Sequence, residues 1–114
     1  MDKVEILILK NLLYNEEYLR KVIPFIKKDY FEDLNQRVIF EEVLNFVEKY
    51  NEPATKEILC IEVEKRSDIN DTSFTEVTKI ISYLENEVSD LDWIIDTTEK
   101  WCRDRAIYLA LMES

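Results

Sequence analysis

Carboxylates dominate the side chains able to do chemistry. The chain has 25 Asp+Glu, and six of them, Glu85, Glu87, Asp90, Asp92, Asp96 and Glu99, fall within fifteen residues. A general acid/base pair or a divalent-cation site needs several oxygens converging on one point. These six straddle a turn and then fan out around a helix, and they lack the D-x-[DN]-x-[DN]-G spacing of a calcium loop. They read as a solvated acidic surface. Histidine is absent, so no Ser-His-Asp triad, Cys-His dyad or His-ligated zinc can form. Glycine is absent too, which excludes a P-loop and a dinucleotide-binding turn, both of which need its close backbone approach to phosphate. The serines and threonines have no base beside them and suit helix caps. Cys60 and Cys102 sit among apolar neighbours and read as buried free thiols. This segment is therefore expected to have no catalytic residue, no metal site and no cofactor of its own.

Charge narrows the partners. The formal net charge is −10 over 114 residues. Residues 1–50 hold 8 basic and 10 acidic side chains, and residues 51–114 hold 7 and 15. A surface this acidic repels phosphate at long range, so direct non-specific DNA binding is not expected. The small cluster Arg20, Lys21, Lys27 and Lys28 is the exception to weigh, and it reads first as solvated surface. The longest apolar run, Ala106 to Met112, is too short to span a membrane. The first residues have neither the basic nor the apolar region of a signal peptide. The cytoplasm is the expected location, and no membrane partner is expected.

The segments between breaks have helical period. A first helix is predicted from about Asp2 to Tyr14, with Ile6, Leu9 and Leu13 on one stripe. Asn15 breaks it, and a short helix runs from about Glu16 to Ile23, ahead of Pro24. Phe25 to Glu32 is a connector with buried aromatics, Phe25, Tyr30 and Phe31. Asp33 caps a third helix to Tyr50, whose wide apolar stripe makes it central. After the loop Asn51-Glu52-Pro53-Ala54, Thr55 caps a fourth helix to about Lys65, although Ile61-Glu62-Val63-Glu64 alternates as a strand would. Ser73-Phe74-Thr75-Glu76 matches a capping box opening a fifth helix to about Val88. Ser89 or Asp90 caps a sixth to about Met112. The expectation is an all-α domain of five or six helices. Residues 1–70 form a compact head and residues 73–114 an antiparallel helical hairpin.

The last helix carries the strongest hint of function. Leu91, Ile94, Thr98, Trp101, Arg105, Tyr108 and Met112 make a near-heptad seam, and Ile95, Cys102 and Leu109 widen it. Residues 106–112 are apolar all round, and such a helix needs partners on more than one side. Aromatics and Met are enriched at subunit interfaces. The candidate interface is Ile80, Leu84, Trp93, Trp101, Tyr108, Leu109 and Met112. The end of the chain so soon after this run suggests a larger protein.

Three segments resemble a known family. They are Leu12-Leu13-Tyr14-Asn15-Glu16-Glu17-Tyr18, then Asp29-Tyr30-Phe31, then Gln36-Arg37-Val38-Ile39-Phe40. Together they look like the N-terminal domain of DnaB-type replicative helicases. Lys21-Val22-Ile23-Pro24-Phe25 and Tyr30-Phe31-Glu32 are most similar to the members from T-even-like bacteriophages. The stretch Thr97–Ala106 resembles the family's hairpin helix. Gln36 stands where bacterial members have His. The resemblance implies a parent protein that is a hexameric, ATP- and magnesium-dependent DNA helicase acting in a phage-infected bacterial host. Its ATPase domain, which makes most of the DNA contacts, would lie outside this chain. It also implies an N-terminal collar that self-associates as a dimer, or a trimer of dimers, and receives primase and a helicase loader. The alternative is a stand-alone acidic helical protein that mimics DNA or acts as a replication adaptor.

Overall fold

The helix boundaries follow from side chains that satisfy orphan backbone donors. The structure, a computed structural model, describes residues 3–113. The proposed start at Asp2 lies outside the described residues, and α1 is Lys3–Tyr14. Asn15 does more than break this helix. Its Oδ1 accepts from the Tyr18 N–H and caps α2, Glu16–Val22. A single 3-10 turn, Lys28–Tyr30, fills the aromatic connector. Asp33 Oδ1 accepts from the N–H groups of Asn35 and Gln36 to start α3, Leu34–Tyr50. Thr55 Oγ1 accepts from Ile58 to start α4, Lys56–Glu64, so the alternating stretch is helical. Then come α5, Asp71–Ser82, and α6, Leu91–Glu113. The all-α reading holds among the described residues.

A chain without glycine still needs a left-handed helix end, and Asn51 provides it at φ 56°. Asn is the ordinary residue whose short side chain best tolerates that region. The Arg20 guanidinium secures the turn, donating to Asn51 Oδ1 (3.0 Å) and to its carbonyl oxygen (2.9 Å).

Helices α1 and α3 form the middle of the molecule. Helices α4 and α5 pack on α3 and on each other, while α2 and α6 pack on α1 and on one another. The core runs through Ile8, Leu9 and Leu12 of α1, Tyr18 and Leu19 of α2, Phe31, Ile39, Phe40 and Val43, then Leu59, Ile81, Leu84 and Ile94. Phe25 lies at the surface, unlike Tyr30 and Phe31. Gln36 Oε1 is buried with no hydrogen-bond partner among the described residues.

The second half departs from expectation in three ways. Helix α5 starts at Asp71 because Asn70 Oδ1 takes the Ser73 N–H (2.8 Å), and this pre-empts the Ser73 capping box. It ends at Ser82 rather than near Val88. Leu84 turns into the core, and its carbonyl accepts from the Tyr14 hydroxyl (2.7 Å). Helices α5 and α6 do not pack along each other as a hairpin. Their link, residues 83–90, is fastened across α1 instead: Asn11 Oδ1 accepts from the Ser89 N–H (3.1 Å), and Asn11 Nδ2 donates to Ser89 Oγ (3.2 Å). That anchor directs α6 along α2, away from α5.

Candidate functional site

Helix α6 is held firmly over its first four turns. The Asp90 carboxylate accepts from the Trp93 N–H (3.0 Å), so Asp90, not Ser89, is the cap. Ile94 is buried, and the hydroxyls of Thr98 and Tyr18 share a hydrogen bond of 2.6 Å inside the core. The Trp101 ring lies 4.9 Å from that of Phe31 and meets Tyr30 edge-on at 6.0 Å. Arg105 is the last fastening. Its Nε donates to the Tyr30 carbonyl (2.6 Å), and its guanidinium lies 4.9 Å over the Tyr108 ring.

Beyond Arg105 the helix leaves the head. Leu109 still leans on the core, while Ile107, Tyr108, Leu111 and Met112 are 55%, 46%, 69% and 67% exposed. Residues 106–112 carry no charge. At 100° per residue, Ile107 and Leu111 face away from the body and Tyr108 stands at their flank. One turn earlier the outward face is charged, with Lys100 paired to Asp104 at 3.0 Å.

The seven candidate interface residues therefore divide. Ile80 of α5 and Leu84 of the link that follows it are buried in the core, and they present nothing to a partner. Trp101 is packed against Tyr30 and Phe31. Tyr108, Leu109 and Met112 share the protruding end. Trp93 is exposed but sits at the far end of α6, ~20 Å away at 1.5 Å per residue. Ile107 and Leu111 are the exposed residues that a seam drawn along one face overlooks, although the all-round apolar run already contained them.

A second apolar surface lies between α4 and α5. Cys60, Ile61, Thr78 and Ile81 line a shallow groove of about 550 Å³ between α4 and α5, bordered by Lys56, Glu57 and Ser82. Lys56 Nζ donates to the Ser82 carbonyl (3.1 Å) across its rim. Ile61, whose position made α4 look strand-like, is over half exposed here.

The remaining chemistry is structural. Arg20 and Lys21 pair with Glu16 and Glu17 on their own helix, so the basic cluster is half neutralised. Arg66 binds Glu42 (2.8 Å) and Asp68 (2.7 Å) and faces Glu41 at 3.8 Å. Its hydrogen bonds to Asp68 and Glu42 keep the guanidinium firmly charged. Burial, aided by the charge of Glu99, pushes the Cys102 thiol up to about 12, and burial also raises Cys60. Both cysteines are free. Among the described residues no group of His, Cys, Asp or Glu converges as a metal site, and no helix is long and apolar enough to cross a membrane. The six carboxylates of residues 85–99 are exposed, and no ion pair among the described residues engages them.

No family model matches the chain. Among curated proteins, a DnaB-like replicative helicase of Enterobacteria phage T4 is 28% identical over 104 residues. The match covers 91% of this chain and 22% of that protein, so the chain spans about a fifth of its relative's length.

Proposed function

From this relationship to a DnaB-like replicative helicase, we propose that the chain is a subunit-docking domain of a replicative helicase. It joins neighbouring copies through the outer end of α6. One observation carries the reading: two turns of uncharged helix beyond the Arg105 fastening expose Ile107, Tyr108, Leu111 and Met112. Burying an apolar side chain stabilises by about 1.5–3 kcal/mol when it starts fully exposed, and four side chains here start about half exposed or more. Such a gain is too small to hold two isolated domains tightly against the cost of association. It suits a contact made many times around an oligomer. ATP and magnesium belong to an ATPase domain of the whole protein, and primase and a helicase loader are partners of the assembled collar.

Sedimentation equilibrium tests the docking role. The chain should associate reversibly with rising concentration. Ile107→Asp and Met112→Asp should make it monomeric while leaving its melting temperature unchanged. A wild-type chain that stays monomeric at millimolar concentration refutes the reading.

A second reading has its own support. The carboxylates between Glu85 and Glu99 are exposed and enter no ion pair among the described residues, and Trp93 is exposed among them. A DNA mimic or an adaptor that holds a basic partner would use this side. Charge-neutralising variants, Asp92→Asn with Asp96→Asn, would then abolish binding to that partner and leave association through α6 intact.

A further inference from the structure

We infer that residues 83–88 are a conditional extension of α5: irregular while side chains of α1 and α4 hold them, and helical once those side chains let go. The sequence favours the helix. Val77, Ile81, Leu84 and Val88 keep one helical stripe, and neither Gly nor Pro interrupts residues 83–90. Two side chains stop it. A helix carried on past Ser82 would give the Ser82 carbonyl to the Asn86 N–H and the Leu84 carbonyl to the Val88 N–H. Lys56 Nζ donates to the first carbonyl at 3.1 Å, and the Tyr14 hydroxyl donates to the second at 2.7 Å. The two N–H groups left over, those of Asn86 and Val88, make no hydrogen bond among the described residues. Asn11, which holds the N–H and Oγ of Ser89, pins the far end of the link.

The exchange is close to balanced, which is the condition for a two-state element. A few side-chain bonds are given up, and the backbone bonds of one further helical turn replace them. Leu84 keeps its place in the core, because it follows the buried Val77 and Ile81 by seven and three residues and so shares their helical face. Charge sets the balance. Glu85 and Glu87 are exposed and would lie at the C-terminal end of the longer helix, where the macrodipole disfavours acids. They hold the link in its irregular form, and neutralising them releases it. The consequence falls on α6. Wound as helix, residues 83–88 reach only ~9 Å along the axis of α5. Helix α6 begins at Leu91, three residues beyond Val88, so winding the link shifts where α6 starts and how it is aimed.

Amide hydrogen exchange, followed by NMR on the 114-residue chain, tests the inference. In the parent chain the Asn86 and Val88 amides should exchange at close to the unprotected rate. Glu85→Gln/Glu87→Gln changes only surface groups, and it should slow both amides about threefold or more while thermal melting stays cooperative. Adding Tyr14→Phe and Lys56→Met removes the two competing donors and keeps most of their bulk. This fourfold variant should slow the same amides about tenfold or more and raise the far-UV helical signal by the equivalent of about six residues. A folded fourfold variant in which both amides exchange as fast as in the parent would overturn the inference. Protection of both amides in the parent chain would overturn it too, since the extra turn would then already be formed. If the fourfold variant does not fold, the Glu85→Gln/Glu87→Gln pair decides by the same readout, and unchanged exchange there overturns the inference.

Discussion

The buried hydroxyl pair that fastens α6 to α2 gives a quantitative test of how the protruding helix is held. Tyr18 and Thr98 are both fully buried, and their oxygens are 2.6 Å apart. Burial pushes the Tyr18 phenol well above its ordinary range, so it stays protonated at any working pH. Tyr18→Phe removes one hydroxyl and leaves Thr98 to find another acceptor. A helical threonine can turn its hydroxyl to the carbonyl four residues back, so the loss should be only about 1 kcal/mol. Thr98→Val strands the phenol without a partner, and leaving a buried hydroxyl unsatisfied costs about 1–3 kcal/mol. The double substitution replaces both groups with apolar ones of similar shape. It should cost no more than Thr98→Val alone, for a coupling energy of about 1 kcal/mol or more. Urea unfolding followed by far-UV circular dichroism measures all four corners of the cycle. Each kcal/mol should also shift the melting temperature by about 4–8 °C in a domain of this size. Additivity within ~0.3 kcal/mol would refute the claim that the two hydroxyls satisfy each other.

Three further outcomes are expected. Arg66→Ala should cost about 2–3 kcal/mol in urea unfolding, because it strands the nearly buried Glu42 carboxylate. Arg66→Lys should recover only part of this, since it cannot span Glu42 and Asp68 together. Asn51→Ala should cost about 1–2 kcal/mol through the left-handed backbone and the lost Arg20 bond, and Asn51→Gly less, a ranking that thermal melts would check. Alkaline pH should destabilise the fold from about pH 9, where the unfolded Cys102 thiol begins to lose its proton while the folded one holds it to about 12. Since the folded value is the raised one, this contribution is complete below pH 9 and falls as pH rises through the window, by up to ~1.4 kcal/mol per pH unit. Cys102→Val should flatten that part of the stability–pH profile, and an unchanged slope would assign it elsewhere.

Local signals were readable where one side chain settles one boundary. Asp33, Thr55 and Asp90 announce their helices because an acceptor side chain lies just before an apolar periodic stretch. The same rule misled at α5, where two candidates compete. Asn70 and Ser73 are both good caps, and the earlier one wins because it adds a turn of helix. The end of α5 was hidden for a different reason. Leu84 and Val88 continue the helical spacing, and only the long-range bonds from Tyr14 and Asn11 pull residues 83–90 out of it. Partners seventy or more residues apart leave no trace in local periodicity.

That non-local fastening also decides what the helix end can do. With α5 and α6 paired antiparallel, Ile80 and Leu84 would have faced the first turns of α6. Because Asn11 and Tyr14 hold the link on α1, Ile80 of α5 and Leu84 of the link point into the core and α6 follows α2. Tyr18, Tyr30 and Phe31 then cover it as far as Arg105 and no farther. The anchor thus sets which neighbours α6 has, and those neighbours end at Arg105. The same anchoring keeps α6 on α1 and α2, so it does not pack over α4 and α5, where Ile61 is exposed.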